Sequence, residues 1–156
     1  MLKTTAFLLA LALPALAEEP APVLADYWMS SGSLPPEHAW ETSIRIRADG
    51  RLDLKHCRGY ETGGPACEQR KAKVSDTALE AIRTAAADSG LLERPARETD
   101  APVVGGGLTW GRVHLSGGTV ALPSQPAEAD VQRVGKVLAA IAAAIPPRLN
   151  RFTDPD

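Results

Sequence analysis

The chain has 156 residues, 17 of them basic and 19 acidic, for a formal charge of −2, and it carries only two cysteines. A balance so near neutrality leaves no global electrostatic footprint for nucleic acid or for an anionic membrane surface. The length fits one domain with one core.

The first 17 residues, MLKTTAFLLALALPALA, place Lys3 before an apolar run from Ala6 to Leu13, then Pro14 and Ala15-Leu16-Ala17. That is the layout of a secretory signal peptide cleaved after Ala17. The run is far short of the roughly 18 to 20 residues that span a bilayer, so no stable membrane insertion is expected after cleavage. Removing 17 of 156 residues leaves 139 and takes Lys3 with it, so 16 basic residues face 19 acidic ones and the charge becomes −3. The Ala, Pro, Gly and Arg bias suits a GC-rich bacterial genome, which points to the periplasm or beyond. In an oxidising compartment Cys57 and Cys67 are expected to form a disulfide; neither CxxC nor a zinc spacing is present.

Residues 18–24 are Pro- and Ala-rich and read as a flexible leader, and a single domain is expected over 25–147. Ala25 to Met29 is too apolar for water, so Tyr27 and Trp28 are expected to dock on the core as a short strand, with an exposed partner-binding aromatic pair as the alternative. Ser30 to Glu37 reads as a loop. Trp40 to Arg47 and Arg51 to Cys57 both alternate apolar and polar, with Ala48-Asp49-Gly50 between them. A two-residue turn would pair Ile46 with Asp53. A three-residue loop pairs Ile46 with Leu52, Ile44 with Leu54 and Thr42 with His56, and is therefore expected, with Gly50 left-handed. This register puts His56 and Cys57 on opposite faces, so the pair is not a ready bidentate ligand. Glu68 to Val74 is densely charged and suits a sheet edge.

Ser75 is a good N-cap for a helix over about Asp76 to Ser89, with Leu79, Ile82 and Ala86 on one face and Gly90 as its stop. The connection from Pro95 to Gly107 ends in three glycines but lacks the residues of a phosphate loop. Leu108 to Leu115 and Thr119 to Pro123 form a second hairpin, for which a Gly117-Gly118 turn pairs Leu115 with Val120 and Val113 with Leu122. Trp110, Arg112 and His114 share its other face, as a binding stripe or as Trp110 stacked under Arg112. The last helix is expected to start at Pro126 with Val131, Val134, Leu138, Ile141 and Ile145 as its apolar stripe, ended by Pro146-Pro147. Residues 148–156 read as a polar tail.

The fold class is therefore α+β: an antiparallel sheet of four or five strands with two helices on one face. The GxSxG, SxxK and HExxH patterns are absent, so no catalytic residue, cofactor or metal ligand is assigned. The function expected is non-enzymatic binding of an envelope or periplasmic protein. Its contact residues are Arg58, Tyr60, Glu61 and Thr62 on the disulfide-framed loop 57–67, with Trp110, Arg112 and His114 second. The alternative is a copper-type metal carrier or small enzyme whose site is assembled from dispersed residues, Met29, His38, His56 and His114 together with carboxylates. The order Tyr-Trp, SGSLPPE, alternating strand, DG turn, GYE segment, Ser-capped helix, hairpin and final helix resembles small exported bacterial α+β proteins of unknown function. That resemblance implies no catalytic residue.

Overall fold

The computed structural model describes residues 19–59, 66–102 and 105–153. The expected signal peptide, the loop residues Tyr60, Glu61 and Thr62, and the end of the tail lie outside them. The strands are β1 (Val23–Ser30), β2 (Trp40–Arg47), β3 (Arg51–Arg58), β4 (Ala66–Lys73), β5 (Leu108–Leu115) and β6 (Gly118–Leu122). The helices are α1 (Asp76–Asp88) and α2 (Glu128–Ala144), followed by a 3-10 turn over Pro147–Phe152. All six strands form one antiparallel sheet in the order β4-β3-β2-β1-β5-β6, against the four or five strands expected.

The largest departure is in β1. Its apolar stretch is not a short strand docked at the margin but eight residues long, beginning at Val23, and it lies between the two hairpins. It alternates: Ala25, Tyr27 and Met29 face the helices, while Asp26 and Trp28 face away. Tyr27 alone of the aromatic pair therefore enters the core, and burial raises the pKa of its phenol.

The first hairpin has the expected register, with Ile46 opposite Leu52, Ile44 opposite Leu54 and Thr42 opposite His56. Gly50 adopts φ 83°, and a Cβ there would lie 2.6 Å from the Val74 carbonyl oxygen. That carbonyl sits close because the Val74 N–H donates to the Gly50 carbonyl at 2.8 Å, tying the end of β4 to the β2–β3 turn.

The second hairpin is registered two residues away from the expected pairing. It turns at Ser116-Gly117, so Val113 faces Val120 and Leu122 faces Gly111. A shift of two preserves which side chains are buried. It also seats Leu122 opposite a glycine, where the space a side chain would fill is already approached by Leu122 and by Leu138 of α2 at 3.4 and 3.5 Å. A bulky residue at 111 would also press on the Asp26 carbonyl of β1, 2.9 Å from the position of a Cβ.

Both helices lie on one face of the sheet, packed against each other and reaching β1, β5 and β6. In α1 the Ser75 hydroxyl accepts from the Ala78 N–H at 3.2 Å, and Leu79, Ile82 and Ala86 are buried as expected. In α2 the buried stripe is rotated from the expected one: Asp130, Val134, Val137, Ile141 and Ala144 point inward, and Val131 is 52% exposed. The cause is the preceding connection. Residues 97–99 pair with 125–127, bringing the Arg97 N–H within 3.0 Å of the Asp130 carboxylate. Arg133 donates to Asp130 from one side and to the carbonyls of Ser89 and Arg94 from the other, both at 3.2 Å. This clamp joins the end of α1, the 90–97 segment and the start of α2. The Arg133 bond, then the Arg97 N–H, hold the Asp130 carboxyl below its ordinary pKa.

The helices leave the β2–β3 end of their own face uncovered, and the chain end fills it. The expected polar tail is a correction: Leu149 and Phe152 are each 4% exposed. The Phe152 carbonyl accepts from the buried Thr42 hydroxyl at 2.7 Å, and its ring lies 5.4 Å from that of His56.

Candidate binding face

The Cys57–Cys67 disulfide is present, joining directly paired residues of β3 and β4. Cys57 alternates with His56 and so lies on the helix-free side of the sheet. Arg58, at the end of β3, falls on the other side opposite Trp40 and is exposed. It does not join the Trp110, Arg112 and His114 stripe.

That stripe acquires partners from β1 that lie more than eighty residues earlier in the chain. Trp28 is directly opposite Trp110, and the two rings stack with centroids 6.2 Å apart and planes 10° from parallel. The Arg112 guanidinium sits over Trp28, 4.9 Å from the ring centroid, rather than over Trp110 as the sequence suggested. Beside them Asp26 is buried although it faces away from the core. Three side chains converge on its carboxylate: Arg45 Nε at 2.9 Å, His114 Nε2 at 3.4 Å and Arg112 at 3.9 Å. The other ring nitrogen of His114 meets the Thr119 hydroxyl at 3.1 Å.

Strand pairing arranges this face in rows. One row runs Arg112, Asp26, Arg45, Asp53, Lys71, alternating in sign from β5 to β4. The next runs Trp110, Trp28, Ser43, Lys55, Gln69. Ser43 is the smallest side chain in the middle of this face, and the surface sinks over it. The resulting groove, about 270 Å³, lies between Trp28 on one side and Lys55, Gln69 and Lys71 on the other. A second depression of about 560 Å³ lies on the far side of the tryptophans, bounded by Leu108, Ala121, Pro123 and Glu98. On this face the Cys57–Cys67 pair is the next one along β3 and β4 beyond Lys55 and Gln69. The disulfide-framed loop therefore springs from the edge of the same face.

Asp26, Arg45, Lys55 and Lys71 were not singled out from sequence, and Trp28 was expected first as a core residue. Strict alternation within β1 would have separated Trp28 from Tyr27. The pairing of β1 with β5, by contrast, has no local signal.

The residues of the copper-type alternative are dispersed. Met29 and His56 are buried on the helix side, His114 lies on the opposite face, and His38 is exposed in the β1–β2 connection. His56 instead belongs to a structural relay. The single Thr42 proton goes to the Phe152 carbonyl, which can only accept, so the His56 Nδ1–H donates to Thr42 at 2.8 Å and the neutral ring is the Nδ1–H tautomer. Trp40 stacks on it at 6.1 Å. Burial, then the nearby Arg58 charge, lower the His56 pKa, with Glu68 opposing. The unfolded chain then binds a proton that the folded one refuses. Stability is expected to be full above about pH 6.5 and to decline as pH falls below it, levelling off once the folded ring protonates. Urea midpoints measured across this range should show that step in the wild type and lose it in His56→Gln. A step unchanged in the variant would assign it elsewhere. The Asp130 contribution falls away only at lower pH, below the usual carboxylate range.

No protein-family model matches the chain, and no curated protein sequence matches it. Among the described residues no helix is long and apolar enough to cross a membrane.

Proposed function

We propose that the chain is an exported, non-enzymatic binding module of the bacterial periplasm, and that its contact surface is the helix-free face of the sheet together with the disulfide-framed loop at its edge. The observation that carries this reading is the charge and aromatic asymmetry of that face. Among its strand residues, Arg45, Lys55, Lys71 and Arg112 at the centre, with Arg47, Arg51 and Lys73 toward the β2–β3 turn, outnumber Asp26, Asp53 and Glu41 by seven to three, in a chain whose formal charge is −2. The paired tryptophans lie half-buried within it. Aromatic and arginine side chains on a rigid sheet are the residues that dominate binding energy at interfaces. Export is supported by the signal-like first 17 residues and by a disulfide in the mature domain.

The test is a crosslinking pull-down from the periplasmic fraction with protein whose N-terminus is sequenced as Glu18. Trp28→Ala and Tyr60→Ala should each reduce recovery of the wild-type partners at least about fivefold, consistent with loss of an interface anchor. Val131→Ser, on the exposed side of α2, should leave recovery unchanged. Equal recovery with all three variants would remove the face from consideration.

A further inference from the structure

We infer that the helix-free face takes an acidic polysaccharide, laid across the strands along the row Trp110, Trp28, Ser43, Lys55, Gln69. This rests on the reading of that face as the contact surface and names its ligand chemistry. With neighbouring strands about 4.8 Å apart, the row extends ~19 Å, long enough for several linked sugar rings. Its order is that of a saccharide chain's own chemistry. The tryptophans offer apolar area to the C–H faces of a pyranose, Ser43 and Gln69 offer hydroxyl and amide groups to ring hydroxyls, and Lys55 offers charge to a carboxylate.

The charges favour an anion but not a dense one. Among the described residues Lys55 and Lys71 have no ion-pair partner, whereas Arg45 and Arg112 are held by Asp26, and Arg47 lies 3.6 Å from Asp53. Two unpaired cations therefore line one side of the Ser43 groove. In the adjoining row Asp26 and Asp53 interrupt the cations at every second strand, so a polymer with a phosphate at each unit would lie against carboxylates. A polymer whose acids are separated by neutral sugar surface meets the cations and spares the acids. A lipid surface fits less well. The large apolar side chains left exposed among the described residues are Leu34, in the β1–β2 connection, and Val131, on α2, and neither lies on this face.

The experiment measures retention of the full chain on immobilised polygalacturonate, dextran, single-stranded oligothymidylate and phosphatidylglycerol vesicles. Polygalacturonate should retain it and dextran should not, with retention falling as salt is raised. Lys55→Glu combined with Lys71→Glu, both exposed positions, should weaken that affinity at least ~tenfold, as should Trp28→Ala, while Lys136→Glu on α2 should not. Circular dichroism matching the wild type qualifies each variant. Equal retention on dextran, or undiminished polygalacturonate binding by the double variant, overturns the inference. Stronger binding to the oligonucleotide or the vesicles that still depends on Lys55, Lys71 and Trp28 also overturns it, but leaves the contact face standing. If no probe binds and the Trp28→Ala pull-down matches the wild type, both fail together.

Discussion

Phe152→Ala is expected to cost about 3–5 kcal/mol of stability, the range for emptying a buried aromatic site. The residue sits four positions from the chain end, where substitutions usually have little effect. Its ring is nonetheless buried, lies against His56, and has the guanidinium groups of Arg70 and Arg151 over it at 5.6 and 4.6 Å. Its carbonyl is also the acceptor for Thr42, which is fully buried in the middle of β2. Loosening the 3-10 turn would leave that hydroxyl and the His56 ring without their partner in a dry site, which adds to the cavity term. Equilibrium urea unfolding reads the effect as a lowered midpoint. Arg148→Ala, at an exposed position of the same turn, should move it by less than about 0.5 kcal/mol. A Phe152→Ala midpoint equal to that of the wild type would show that the chain end contributes nothing to the core.

Opening the Cys57–Cys67 disulfide is expected to cost about 2.8 kcal/mol, the loop-closure value for an eleven-residue ring. Most of that acts on the unfolded chain, whose freedom the bridge restricts. The folded state has its own reason to need it. The edge strand β4 buries little: Ala72 packs against the core, but Glu68, Gln69, Lys71 and Lys73 are exposed, so β4 is held chiefly by its ladder to β3. Replacing both cysteines by alanine should lower the urea midpoint and speed hydrogen exchange in β4 before β1 or β2. Oxidised native protein should show no titratable thiol, and reduced, unfolded protein should show two. Two thiols in the native oxidised protein would refute the bridge. Because Lys55 and Gln69 are the nearest pair on the same face, the same substitution should also weaken the polygalacturonate retention proposed for that face.

Sequence reasoning reached furthest where neighbours in space are neighbours in the chain. The β2–β3 register followed from matching apolar and polar partners across a short turn, and Gly50 supplied the left-handed residue that turn requires. The Ser75 cap, the charged edge strand and the disulfide are likewise short-range. In the second hairpin alternation identified the right faces but not the register, because a slip of two residues leaves alternation unchanged. What decided it was a glycine at 111 and a helix side chain at 138. The stripe of α2 held at Val134, Ile141 and Ile145 but missed its first residue for a similar reason. Val131 fits a helical period as well as Asp130 does, and only the Arg97 N–H and Arg133, brought in by the 97–99 pairing, make the acid the inward residue.

The candidate site divides along the same line. Trp110, Arg112 and His114 were recognisable as one face of one strand from their spacing alone. That this face also holds Trp28, Asp26, Arg45, Lys55 and Lys71 depends on β1 lying between β2 and β5. By itself, then, the sequence determined the class of fold, the first hairpin and the bridge, because each is written in the chemistry of a few consecutive residues. The tertiary structure alone decided the central place of β1, the docking of the chain end and the rows of the helix-free face. Those depend on which apolar surfaces are left to be covered once local elements have formed, and pairings between distant segments leave no local mark.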